Sequence, residues 1–223
     1  MPVQIHTENA LPFGFEPEYS GSINPTSLRA QYRTDGVEGY TTCSDCGVVN
    51  AETNSPILVD CAFAWASVEE MFNSSIRAGA TIPERSSTLG GCGCHVHMST
   101  RRLLNVKTER EREMFCRESI AFTQRTGRVI DLTGRTEDPI TTEQLRDIIL
   151  RMYDQQDMIN SIHQKSRTEG HPHFSRFMGH QITAGMARRV RRATDTSEIV
   201  RAMTETHGKF TNINLENFTS GKQ

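Results

Sequence analysis

Apolar and polar residues alternate strictly from Phe13 to Tyr19, which predicts a strand with Phe13, Phe15 and Tyr19 on one face and Glu16 and Glu18 on the other. Pro17 has no N–H to give to a ladder, so this strand is expected at a sheet edge, or Pro17 as its last paired residue. A second strand is predicted within Gly47 to Leu58, with Val48, Val49, Ile57 and Leu58 as its apolar content. A third, Gly93 to Ser99, places His95, His97 and Ser99 on one face and Cys94, Val96 and Met98 on the other.

Helical spacing takes over later in the chain. Ser67-Val-Glu-Glu70 has the form of a capping box, with Val68, Met71, Phe72 and Ile76 at helical intervals. Residues 106–125 read as a helix with a ragged stripe. Thr141-Thr-Glu-Gln144 opens the strongest helix, whose stripe is Leu145, Ile148, Ile149, Met152, Ile159 and Ile162. Asp195-x-x-Glu198 caps another, running to about Thr206, with Ile199, Val200 and Met203 as its buried face. Phe210 to Leu215 alternates again and predicts a returning strand. Strands first, helices next and then a strand argue for an α+β fold rather than a doubly wound sheet.

Composition narrows the class. Of 223 residues, 35% are hydrophobic and 23% charged, and the mean hydropathy is -0.53; this is a polar chain that still has enough apolar residues for a core. The longest apolar run, Cys61 to Ala66, falls far short of the roughly 20 residues needed to cross a bilayer. The opening MPVQIHTENA lacks the basic-then-apolar layout of a secretion signal, so the expected location is the cytoplasm, with no membrane partner. A net charge of -2 gives no global attraction to nucleic acid. The exception, Arg188-Arg189-Val-Arg191-Arg192, reads as a solvated helix face. The six cysteines (43, 46, 61, 92, 94 and 116) are expected as reduced thiols or metal ligands rather than disulfides.

Glu16 and Glu18, two apart on one strand face, have the bland reading of edge charges that discourage aggregation. Turned inward, they suit a hard cation such as Mg²⁺. His95 and His97 stand about 7 Å apart along one face of a strand, a spacing that serves one metal site or a metal and an adjacent anion. Leu89-Gly-Gly-Cys-Gly93 before them would let backbone approach a ligand closely, but no Walker Gly-Lys-Ser/Thr follows. Cys43-x-x-Cys46 has zinc-ligand spacing. Cys92-x-Cys94-His95 does not repeat it, and on a strand Cys94 and His95 point to opposite faces. His171-Pro-His173 reads as a surface loop.

Taken in order, three segments resemble the amidoligase family, the small carboxylate–amine ligases related to glutamine synthetase. Gly14-Phe-Glu16-Pro-Glu18 is similar to the opening G-x-E-x-E strand of that family. Ala51-Glu52-Thr-Asn-Ser-Pro56-Ile-Leu58 is similar to its segment in which a Glu is followed by Ser-Pro and an apolar pair. Gly91-Cys-Gly93-Cys-His95-Val-His97-Met-Ser99 is close to the G-x-G-x-H-x-H-x-S strand of glutamine synthetase. The long helix ending near Ser166-Arg167 and the segment Asn212 to Leu215 fit later elements, so the resemblance runs from about residue 12 to the end.

The resemblance implies a single domain over residues 1–223, a curved antiparallel sheet with a metal-binding concave face and helices packed outside. It implies ATP and Mg²⁺, with Glu16, Glu18, Glu52 and His95 as metal ligands. His97 and Ser99 would face the ATP phosphates, and Arg167 would neutralise a phosphate or a substrate carboxylate as the catalytic cation. The implied reaction is ATP-dependent amide formation through an acyl phosphate. The implied partners are small-molecule or peptide carboxylates and amines, with self-assembly into a homo-oligomer. The Glu-x-Arg strand with which the family usually finishes does not follow Leu215, which implies a C-terminally incomplete catalytic domain. Two readings from the residues alone stand beside this one: a metal-dependent hydrolase built on His95 and His97, and a zinc-stabilised, non-enzymatic binding module built on the cysteines.

Overall fold

A computed structural model describes residues 8–44, 51–81, 94–162, 182–205 and 215. The chain forms two compact units, Met1–Ile82 with Gly91–Pro139, and Pro83–Gly90 with Ile140–Gln223. The first unit contains, in order, β1 (Pro12–Gly21), α1 (Pro25–Asp35), β2 (Thr41–Cys43), β3 (Ala51–Asn54), β4 (Leu58–Val59), α2 (Ala62–Arg77), β5 (Ala80–Thr81), β6 (Cys94–Met98), β7 (Arg101–Leu103), α3 (Glu109–Thr126) and β8 (Thr136–Pro139). The second contains α4 (Thr142–Ile162), α5 (Ala184–Arg192) and α6 (Thr196–Thr204). Helices with antiparallel sheet make this an α+β architecture, as the order of elements implied.

The six-stranded sheet is organised around β1. Phe13 pairs with Leu58 of β4 and with Met98 of β6, so β1 has neighbours on both sides and is a central strand rather than the expected edge. The ladder on the β3–β4 side of β1 is interrupted. From Phe13 to Glu18 is five steps along β1, but the partners Leu58 and Glu52 are six apart, so one extra residue is bulged between β3 and β4. The Ser55 N–H donates to Phe15 O at 2.9 Å and its Oγ accepts from Phe15 N at 2.8 Å. These bonds keep the register of Glu18 with Glu52, so the interruption falls between Ser55 and Leu58, opposite Phe13 to Phe15. On the β6 side Pro17 stands opposite Cys94, the first described residue of β6; β1 stays paired beyond it, with β3 at Glu18 and Tyr19 and with β5 at Ser20 and Gly21, so Pro17 is not the strand's last paired residue either. The strand predicted over Gly47 to Leu58 is therefore β3 and β4 with a kink between them, and residues 45–50 fall outside the described residues.

The odd-numbered face of β1 carries the core. Tyr19 and Ala51 are buried with Leu28 and Tyr32 of α1, Ala64, Val68 and Met71 of α2, and Phe115, Cys116 and Ile120 of α3. α1 starts where Asn24 accepts the N–H groups of Thr26 and Ser27, follows Pro25 into its first turn, and stops at Gly36 in the left-handed region (φ 73°). α2 begins at Ala62, five residues before the predicted capping box, because the Cys61 side chain accepts the Ala64 N–H and acts as N-cap. Ser67 then lies inside the helix, with its Oγ 3.1 Å from Tyr40 Oη. α3 is opened by a capping box of Thr108 and Glu111. It packs so closely that a Cβ at Gly39, whose φ is 77°, would stand 2.9 Å from the Ile120 carbonyl oxygen.

In the second unit Thr141 and Gln144 exchange side-chain and backbone hydrogen bonds at the start of α4, as the sequence pattern predicts. Leu145 and Ile149 are buried along it. Asp195 caps α6 through the Glu198 N–H, and Ile199, Val200 and Met203 form its buried face. On α5 the apolar Met186, Ala187 and Val190 are buried while Arg188, Arg189, Arg191 and Arg192 are exposed, as expected of a solvated basic face. No helix among the described residues is long and apolar enough to cross a membrane. The returning strand at Phe210 to Leu215 lies outside the described residues except for Leu215, which is buried.

Candidate metal centre

Alternation and register together build the site. Residues directly opposite each other on neighbouring strands project from the same face. Glu16 stands opposite His95, Gly14 opposite His97, Glu18 opposite Glu52, and Glu52 opposite Cys43. One face of the sheet therefore carries Glu16, Glu18, Glu52, His95, His97, Cys43 and Asn54. Because Gly14 has no side chain to stand against His97, the imidazole reaches diagonally to Glu16, with Nε2 and Oε2 2.8 Å apart. His95 sits between the two carboxylates, its Nδ1 4.0 Å from Glu16 Oε2 and its Nε2 3.9 Å from Glu18 Oε1. One ligand atom from each of Glu16, His95 and His97 lies within 4.8 Å of the others.

Exposure grades across this face. The Glu18 side chain is only 10% exposed, while that of His97 is 64% exposed. The cluster thus has a sheltered end at the sheet and an open end toward solvent. An acidic group held near two imidazoles is charge-assisted when a histidine is protonated. When both imidazoles are neutral, the same three atoms are donors of the kind that hold a divalent cation and leave positions open for water or substrate.

The remaining expected site residues are distributed differently. Glu52 is in register with Glu18, but its Oε1 accepts from Asn54 Nδ2 at 2.9 Å and from Cys43 Sγ at 3.5 Å, which turns it toward β2. Ser99 extends the ladder by one bond, its N–H donating to Pro12 O at 2.9 Å. Its Oγ accepts from Arg101 N at 3.0 Å in the turn into β7. Arg167 lies outside the described residues, as do Cys46, Cys92, His171 and His173. Of the proposed zinc cysteines, Cys43 is exposed and lies against Asn54 Nδ2 at 3.3 Å. Sequence reasoning did not place Asn54 or Cys43 beside Glu52. The two-residue spacing of Glu52 and Asn54 was a readable sign for one of them, but the Cys43 pairing depends on β2–β3 register alone.

Fold and site together define an α+β protein with a carboxylate–imidazole cluster on one face of an antiparallel sheet. Comparison with protein-family models, with curated proteins and with solved structures found no match to this chain.

Proposed function

We propose that this protein is an ATP-dependent carboxylate–amine ligase of the glutamine synthetase-like kind. The observation that carries the reading is the shared face of Glu16, Glu18, Glu52, His95 and His97, drawn from three separate sequence segments. The donor set fits a divalent cation: carboxylate oxygens suit Mg²⁺, and an imidazole is tolerated where the sheet fixes its position. Glu16, Glu18 and His95 would hold the metal, joined by Glu52 once its carboxylate leaves Asn54 and Cys43, and the metal would neutralise charge on the phosphates.

Amide formation in water is uphill, so the substrate carboxylate first takes the γ-phosphoryl group of ATP, whose β,γ-bridging P–O bond breaks as ADP leaves. The amine then attacks the acyl phosphate carbon, the C–N bond forms and phosphate leaves. Water must be kept from that acyl phosphate, and the sheltered Glu18 end of the cluster is the drier side of the site. In this reading His97 and Ser99 lie on the phosphate side, and Arg167 neutralises a phosphate or the substrate carboxylate.

The test is calorimetric binding of a non-hydrolysable ATP analogue with and without Mg²⁺. Wild type should bind only with the metal, and Glu16→Gln and His95→Ala should each weaken binding at least tenfold. Wild type that binds no nucleotide in the presence of Mg²⁺ overturns the ligase reading. The Glu16, His95 and His97 set also fits a second reading, a hydrolase using zinc or manganese to activate water. Turnover of an ester or amide without ATP, lost with His97→Ala, would establish it.

A further inference from the structure

Two buried thiols face each other between α2 and α3, away from the carboxylate–imidazole cluster. Cys61 Sγ and Cys116 Sγ are 3.8 Å apart, and the residues are 3% and 0% exposed. Their environments differ. Cys61 is the N-cap of α2 and accepts the Ala64 N–H at 3.4 Å, at the end of a helix where negative charge is favoured. Cys116 lies inside α3, its Sγ accepting the Val59 N–H at 3.4 Å and standing 3.7 Å from the Val59 carbonyl oxygen. A hydrogen bond from Cys116, helped by the backbone N–H groups of Ala64 and Phe63, holds the Cys61 thiol below the ordinary cysteine range against the opposing effects of burial and the Glu109 carboxylate. The same bond, and burial, push Cys116 up. Its place at the N-terminus of α2 sets up Cys61 as the nucleophile, and Cys116, 3.8 Å away, as its resolving thiol.

We propose that Cys61 and Cys116 form a peroxide-sensitive dithiol–disulfide couple. The Cys61 thiolate attacks one oxygen of hydrogen peroxide. The O–O bond breaks, Cys61 becomes a sulfenic acid, and the departing hydroxide takes a proton to become water. Cys116 then attacks the sulfenic sulfur: the S–S bond forms, the S–O bond breaks, and the Cys116 proton leaves with the hydroxyl as a second water. Two thiols have lost two electrons and two protons, and one peroxide has become two waters. The oxidant is small, which suits a pair with so little exposed surface. Closing the bond brings the sulfurs from 3.8 Å to about 2.05 Å, a movement shared between the start of α2 and one turn of α3.

The experiment treats the native protein with equimolar hydrogen peroxide, alkylates the remaining thiols in denaturant, and maps the products by peptide mass spectrometry. A Cys61–Cys116 peptide pair should be the main product. The thermal midpoint should rise on the order of 10 °C because the link closes a long loop in the unfolded chain, and dithiothreitol should reverse both changes. Cys116→Ala should leave a sulfenic acid on Cys61 that dimedone traps, and Cys61→Ser, which keeps an N-cap oxygen, should leave Cys116 unoxidised. Native wild type in which Cys61 and Cys116 stay alkylatable while the exposed Cys43 is oxidised overturns the proposal. So does a link that forms only after the protein is unfolded.

Discussion

On one face of β1, Tyr19 is fully buried and its hydroxyl lies 3.1 Å from Ser75 Oγ, which bonds Tyr32 Oη at 2.7 Å, itself 2.7 Å from Thr53 Oγ1. On the other face, three residues back along the same strand, Glu16 keeps a third of its side chain exposed beside two histidines. Both faces carry polar atoms. On the buried face the hydroxyls satisfy one another in a closed chain, so each is costly to remove. On the open face water solvates whatever the neighbours do not, so charge there is cheap to alter and available to a ligand. The comparison separates the half of β1 that holds the fold from the half that is free to do chemistry.

The sharpest test of this division is Leu58→Ala. Leu58 is fully buried opposite Phe13, and its truncation should cost about 2–5 kcal/mol in urea denaturation. Next comes alkaline pH. Burial pushes Tyr40 up to about 12 and raises Tyr32 and Tyr19 as well. The unfolded tyrosines ionise from about pH 10 while the folded ones keep their protons, so stability is complete below pH 10 and falls as the pH rises toward 12. Tyr40→Phe should flatten that fall by on the order of 2 kcal/mol, read as the urea midpoint at pH 9 and at pH 11.5.

A smaller effect is expected from Tyr32→Phe, about 1–2 kcal/mol at neutral pH, because Thr53 and Ser75 lose a shared partner. Smallest of all is Glu16→Gln on the open face, with a stability change within about 0.5 kcal/mol but Mn²⁺ affinity down at least tenfold. If Glu16→Gln destabilised the protein as much as Leu58→Ala, the open face would be structural and the division wrong.

Much of this was readable locally. The alternation in Phe13 to Tyr19 and Cys94 to Met98 assigned each side chain to its face, and Asp195-x-x-Glu198 and Thr141-x-x-Gln144 marked their helix starts, because caps act within a single turn. Two local readings went astray for physical reasons. Cysteine is a rare N-cap, so Cys61 carried no start signal and the inner Ser67-x-x-Glu70 looked like one. Pro17 pointed to an edge because nothing near it in sequence announces that distant segments will pair with β1 on both sides.

The chain alone determined which residues share a face, since a period of two along a strand and a cap at a helix end are properties of adjacent residues. Only the tertiary structure decided which strand lies beside which. Glu16 meets His95, Glu18 meets Glu52, and Cys61 meets Cys116 through contacts between segments far apart in sequence. Strand register follows from packing all the buried faces at once, and a one-residue slip would have turned Glu16, Glu18, Glu52 and His95 to the opposite face.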